Sequence, residues 1–163
     1  MSRYSNIYSD IWLDDKFIAL PDSEKLLFVY TLTSPIGTYA GFYREPLEYI
    51  AGAIKKTREE TLELLASLDK KNLVKYDTAN NLLLIPNYLK YNTPKNQMQY
   101  KGINRTVDKL PLSELHIEFL YRLNKYAPES LEHISTKIKD YVRVKCEDSK
   151  EPHKAILYSK LRI

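Results

Sequence analysis

Apolar residues recur at helical spacing along most of this chain, and a few short apolar-aromatic runs interrupt them. Ile7, Tyr8, Ile11, Trp12, Phe17 and Leu20 form an aromatic-rich lead-in with room for a short helix. Pro21-Asp22-Ser23 reads as a helix start with Asp22 or Ser23 as the cap. From Glu24 to Thr33 the apolar residues Leu26, Leu27, Phe28, Val29, Tyr30 and Leu32 fall on nearly every side, which predicts a central, buried helix. Ser34-Pro35-Ile36-Gly37 ends it, because proline disfavours helix in the residue before it. Residues 38–44 (TYAGFYR) are short, aromatic and bounded by turn residues, and read as a small strand.

Pro46 opens the next helix, where a missing N–H costs nothing, and Leu47, Ile50 and Ile54 make its apolar stripe. Lys55 and Lys56 follow at its C-terminal end, where positive charge suits the helix dipole. Thr57-Arg58-Glu59-Glu60 is a capping box, and the helix that it starts carries Leu62, Leu65 and Leu68. Two apolar runs, Leu73 to Tyr76 and Leu82 to Ile85, flank Asp77-Thr78-Ala79-Asn80-Asn81, whose Asp and Asn favour a hairpin turn. The order is helix, short strand, helix, tight turn, helix, hairpin. A turn of about three residues between two helices matches helix-turn-helix spacing, and the added hairpin makes a winged helix-turn-helix over residues 1–92.

Residues 93–109 differ. Together with the lead-in from Pro86 they are rich in Asn, Gln, Lys and Tyr, and Lys90, Lys95, Lys101, Arg105 and Lys109 face a single acid, Asp108. They read as a basic linker or arm, at least partly irregular. Helical periodicity returns over residues 110–163: Leu112, Leu115, Phe119, Leu123 and Tyr126, then, beyond Pro128, Leu131, Ile134, Ile138, Tyr141 and Val142. Each stripe needs cover. A helical hairpin, the first domain or a second copy of the chain would each supply it. Residues 146–154 read as a polar loop, and the mixed segment from Ala155 onward has no clear pattern. The fold expected is mainly α with a small β-hairpin, a winged helix-turn-helix followed by C-terminal helices.

Composition narrows the function. At 163 residues, 44% hydrophobic and 28% charged, the chain is globular material of one domain or two very small ones. No apolar run approaches the roughly 18 residues of a membrane span. The opening Met1-Ser2-Arg3-Tyr4-Ser5-Asn6 has no apolar stretch behind a basic end, so no secretory signal is expected. The lone Cys146 cannot form an internal disulfide, and a reducing, cytoplasmic setting is expected. The net charge of +4 is unevenly spread: residues 1–92 carry 11 bases and 12 acids, residues 93–163 carry 14 and 9.

The chemistry of catalysis is missing from the pattern. His116, His133 and His153 make no metal spacing with Cys146, so no metal or cofactor is expected. Arg143 and Lys145 lie near enough in sequence to lower the Cys146 pKa, although lone cysteines are commonly inert. Only four glycines are present, and none sits in a phosphate-cradling or nucleophile-elbow motif. The adjacent carboxylates Asp14-Asp15 and Glu59-Glu60 point to different sides of a helix and make no dyad. A non-enzymatic role is expected.

Nucleic acid is the partner that the basic residues suggest. In a helix-turn-helix the second helix enters the major groove by its N-terminal end. Thr57, Arg58 and Thr61 would then be nearest the bases, with Lys55 and Lys56 at phosphates. Lys70, Lys71 and Lys75 flank the wing. In the arm, Lys90, Lys95, Lys101 and Arg105 would neutralise phosphates, and Tyr88, Tyr91 and Tyr100 are candidates for stacking on unpaired bases. Against groove entry stand Glu59, Glu60 and Glu63, which place three carboxylates on the exposed face of the recognition helix. That face could instead bind a protein.

The stretch Ile11-Trp12-Leu13-Asp14-Asp15-Lys16-Phe17, with Leu20 and Lys25-Leu26-Leu27-Phe28, resembles the opening of bacteriophage replisome-organiser and DnaD-like replication-initiation proteins. So do Leu32-Thr33-Ser34-Pro35, Gly41-Phe42-Tyr43 and Ile50-Ala51, and Ile85-Pro86-Asn87-Tyr88-Leu89-Lys90-Tyr91-Asn92 resembles the motif closing that family's winged-helix domain. The resemblance covers about residues 4–92. It implies a winged-helix domain that binds origin DNA or self-associates, in a phage or mobile element of a low-GC Gram-positive host. Residues 110–163 do not resemble the helicase- or loader-recruiting domain that usually follows. The expectation is a DNA-binding protein of replication initiation, acting on duplex or single-stranded DNA, with a homodimer and a host or phage replication protein as further partners. The alternative is a winged-helix module that binds a protein without using DNA, by its acidic face or its C-terminal helices.

Overall fold

The computed structural model describes residues 5–147 and 149–161. The first four residues, where a secretory signal would begin, lie outside them. The chain is mainly helical, with one small antiparallel sheet. A 3-10 turn at Ser9–Leu13 leads to helices α1 (Asp15–Ile18) and α2 (Asp22–Thr33), then strand β1 (Phe42–Arg44) and helices α3 (Leu47–Ile54) and α4 (Arg58–Lys70). Strands β2 (Lys75–Asp77) and β3 (Leu82–Leu84) follow, then α5 (Tyr88–Tyr91), α6 (Gln97–Val107), α7 (Leu115–Tyr126), a 3-10 turn at Pro128–His133, α8 (Thr136–Cys146) and α9 (Pro152–Leu161).

The strand order β1-β3-β2 puts the hairpin's second strand in the middle. Phe42 pairs with Leu84 and Tyr43 with Leu83, while Tyr76 of β2 meets Leu83 from the other side. Successive side chains of a strand point to opposite faces. Leu83 and Tyr43 therefore join Phe17, Leu20, Leu27, Leu47, Ile50, Leu65 and Leu68 in one core. Phe42, Leu82 and Leu84 join Phe119, Leu120, Leu123, Ile138 and Val142 in the other. A strand covered on both faces needs no polar alternation, which is why residues 82–85 read LLLI.

Of the three covers considered for the C-terminal stripes, this structure uses the back of the sheet. Leu157 and Leu161 of α9 belong to the same core, so the segment without a clear pattern is a helix that closes it. Pro152 to Lys154, expected in a loop, form the first turn of that helix.

Local signals explain several element ends. Lys55 takes a left-handed conformation (φ 54°) that closes α3, and the Lys56 N–H reaches the Ala51 carbonyl at 3.0 Å. Thr57 Oγ1 then accepts from the Glu60 N–H at 3.1 Å, and Glu60 Oε2 accepts from the Thr57 N–H at 2.8 Å, the capping box read from sequence. In the hairpin, Asp77 Oδ1 accepts from the N–H groups of Ala79 and Asn80, and Asn81 supplies the positive φ.

Three expectations are corrected. Neither Asp22 nor Ser23 caps α2, whose boundary residue is Pro21 with no side-chain cap. α2 is not buried all round: Leu27 is fully buried but Leu26 is 53% exposed, because α3 and α4 cover only one flank. Residues 97–107, within the segment expected to be a partly irregular arm, form a packed helix, and the irregular part is confined to its edges. Asn96 Oδ1 accepts from the Gln99 N–H at 3.0 Å, and Gln99 Oε1 accepts from the Lys95 N–H at 2.6 Å, so both ends of the first turn are tied. Ile103 and Val107, one turn apart, then bury against the sheet-backing core.

Candidate nucleic-acid interface

The basic residues named from sequence divide into two groups. Those of the helix-turn-helix region mostly serve the fold. Lys56 lies 4.0 Å from Glu60, Arg58 pairs with Glu48, and Lys75 pairs with Asp69 at 2.8 Å. Lys71 holds Glu24, whose side chain is 7% exposed and whose other oxygen accepts from Ser67 Oγ at 2.6 Å. Lys55 and Lys70 are exposed and make no ion pair among the described residues.

The second group is free. Lys90, Lys95, Lys101, Arg105 and Lys109 are all exposed, and none makes an ion pair among the described residues. Lys101 and Arg105 are one turn apart on the outer face of α6, with Met98 and Gly102 beside them. The adjoining flank of α6 is anchored. Asn104 Oδ1 accepts from the Ser135 N–H at 3.0 Å, and the Tyr100 ring stacks on His133 with centroids 5.9 Å apart. α6, held in this way, presents Lys101 and Arg105 outward with no ion pair among the described residues.

Two residues named for DNA contact are placed elsewhere. Thr61 is fully buried and its Oγ1 donates to the Thr57 carbonyl at 2.7 Å, so it cannot meet a base. Tyr88 is 9% exposed and packs against Gly41, so its ring is no stacking platform. Tyr100 is half-buried against His133. Tyr91 remains open at 51% exposure, with the Lys90 ammonium 5.2 Å from its ring centroid. On the acidic face, Glu60 is engaged in the capping box, which holds its carboxyl below the ordinary range, while Glu59 and Glu63 are exposed.

Tyr8 was missed by the sequence reading. Its ring is in contact with that of Tyr91, centroids 6.4 Å apart, and both line a cleft of about 380 Å³ between the lead-in and α5. The available signal was Tyr8 in an aromatic lead-in, but nothing in one sequence shows that residues 8 and 91 meet.

Several other ionisable groups are fixed in place by the fold. Glu45 is buried, accepts from Tyr30 Oη and, at 3.1 Å, from Ser34 Oγ, and burial raises its pKa. Cys146 is buried and desolvation pushes its thiol up, opposite to the lowering that Arg143 and Lys145 suggested from sequence. Among the described residues no three His, Cys, Asp or Glu side chains are grouped to hold a metal, and no helix is long and apolar enough to cross a membrane.

Two of these groups give measurable consequences. His116 is fully buried, packed edge-on to Phe42, with Nδ1 beside the Ser113 backbone and Nε2 without a hydrogen-bond partner among the described residues. Desolvation lowers its pKa. Below about pH 6.5 the unfolded chain takes up a proton that the folded chain resists, so this residue's contribution to stability falls with falling pH. His116→Leu should therefore lose less Tm than the wild type between pH 7.5 and 5, measured by thermal unfolding. Lys71→Met leaves the Glu24 carboxylate buried without its cation. It should cost about 1–2 kcal/mol, discounted because Lys71 itself is 40% exposed, and should leave any DNA affinity nearly unchanged.

No family model, no curated protein and no solved structure matches the chain.

Proposed function

We propose that this chain is a non-catalytic DNA-binding protein of replication initiation in a phage or mobile element, acting in the bacterial cytoplasm on a winged-helix scaffold. The element order and the three-stranded sheet are compatible with that scaffold. The family resemblance of residues 4–92 suggests the process. The observation that carries the reading is the run of exposed cations at Lys90, Lys95, Lys101, Arg105 and Lys109, without ion pairs among the described residues, with Lys90 next to the open ring of Tyr91. On this reading DNA lies against the segment from α5 through the end of α6. The N-terminal end of α4, the usual reader, has Arg58 spent on Glu48, Thr61 buried and Glu59 turned outward.

The test is a titration into labelled duplex and single-stranded DNA at several salt concentrations. The reading predicts a log affinity that falls linearly with log salt, because each neutralised phosphate releases counterions. Absence of binding at low salt would sink it.

A second reading, a protein-binding module, is favoured by the lead-in. No residue of the Ser9–Leu13 turn is buried, and Trp12 and Leu13 are 62% and 78% exposed. It predicts a stable complex with a host or phage replication protein, or a homodimer, that Trp12→Ala weakens and that forms without DNA. The C-terminal helices, the other surface considered for such a role, spend their apolar stripes on the internal core.

A further inference from the structure

We infer that the cleft between the lead-in and α5 receives one unpaired nucleobase of a single strand whose phosphates lie along the cations of α5 and α6. The inference rests on the DNA-binding reading and adds the strand form and the pocket.

The walls are the rings of Tyr8 and Tyr91, 59% and 51% exposed, tilted by 45° with centroids 6.4 Å apart. Two rings at this distance and tilt are in contact with each other, so the base stacks on an exposed face of one of them, lying in the cleft beside both. The cleft volume of about 380 Å³ is at the small end of ligand pockets and is enough for a base. Its floor is apolar, formed by Phe17, Phe28 and Ile85.

Two amides on the wall are already oriented. Asn87 Oδ1 accepts from Arg122 Nη1 at 3.1 Å, which leaves its Nδ2 as a donor. Asn92 Nδ2 donates to the Tyr88 carbonyl at 3.2 Å, which leaves its Oδ1 as an acceptor. A donor and an acceptor beside stacking rings suit the edge of an unpaired base, which a duplex keeps engaged.

The lining carries two acids, Asp10 and Asp14, and two bases, Lys16 and Lys90, so the cleft has no net charge to hold a phosphate, while Lys95 lies five residues on from Lys90, within roughly 18 Å of chain. The neutral base therefore goes in and the phosphates follow the exposed lysines outside.

The experiment uses the full chain, a short oligothymidylate, a duplex of equal length and free thymidine monophosphate. Variants are Tyr8→Ala/Tyr91→Ala, Tyr8→Phe/Tyr91→Phe and Lys101→Glu/Arg105→Glu. The rings are more than half exposed, and circular dichroism melts check that the variants fold. Base stacking on an aromatic ring is worth ~1–3 kcal/mol, so the alanine pair should weaken single-strand binding about 10-fold or more, with duplex binding nearly unchanged. The phenylalanine pair should bind like the wild type. A 2-aminopurine within the strand should be quenched on binding to the wild type and not to the alanine pair. The free nucleotide should bind far more weakly than the strand, because it lacks the α6 contacts. Equal loss on duplex and single strand, no loss on either, or a free nucleotide that binds as tightly as the strand would each overturn the inference while the DNA reading stands. If the wild type binds neither DNA form at low salt, both fail together.

Discussion

Replacing Gly41 by alanine should lower the stability of the fold by about 3 kcal/mol, or roughly 6–12 °C in Tm for a chain of this size. Gly41 has φ +65°, a conformation that disfavours any side chain. A Cβ there would also lie 2.4 Å from Cβ and Cγ of Tyr88, far inside contact distance. Tyr88 cannot easily yield, because it is buried among the residues that join α5 to the sheet. The Gly41 carbonyl also accepts from the Ile85 N–H at 2.9 Å, so the strain falls on the joint between β1 and the end of β3. Gly102→Ala is the matched control. It lies in α6 with nothing within 4 Å of an added Cβ, and should gain about 0.5–1 kcal/mol from reduced unfolded-state freedom. Chemical denaturation of both variants measures the contrast. A Gly41→Ala change of less than ~0.5 kcal/mol, the range of an ordinary surface substitution, would mean that the close approach to Tyr88 carries no stability.

The largest functional effect is expected from Lys101→Glu/Arg105→Glu. Two phosphate contacts are lost and two repulsive charges are introduced, which should reduce DNA affinity on the order of 100-fold at low salt. The salt slope should shrink by about 1.8 on duplex or about 1.4 on a single strand, two phosphates at ~0.9 or ~0.7 each. Stability should hardly move, because both side chains are exposed and unpaired among the described residues. Arg58→Ala provides the comparison within the helix-turn-helix. Its guanidinium already pairs with Glu48, so its loss should alter affinity little. If Arg58→Ala is the damaging change and the α6 variant binds normally, DNA docks on α4 and the proposed surface is wrong.

Legibility varied with the range of the interaction. The capping box at Thr57–Glu60 was readable because it closes within four residues. The hairpin was readable for the same reason: Asp77 folds back on Ala79 and Asn80. The helix over Gln97–Val107 was hidden by its polar composition, although Asn96 and Gln99 already held a capping signal and Ile103 and Val107 a short stripe. Burial on α2 was overestimated since an apolar sequence does not say how many neighbours arrive to cover it; Leu26 stays open.

The candidate interface shows the same division. Which residues are basic, and that five of them crowd between positions 90 and 109, is a property of the chain alone. Which of the bases are free was decided by the tertiary structure. Glu24 and Lys71 are 47 residues apart in sequence and Glu48 and Arg58 are ten apart, so their pairing depends on how α2, α3 and α4 pack. The cleft depends on the same kind of contact, since Tyr8 and Tyr91 meet only when the lead-in lies beside α5. Local hydrogen bonding and periodicity are written within a few residues and set the order of elements. Charge neutralisation and ring-to-ring distance act through space between segments far apart in the chain, so only the packed fold decided which side chains were consumed by it and which were left facing outward.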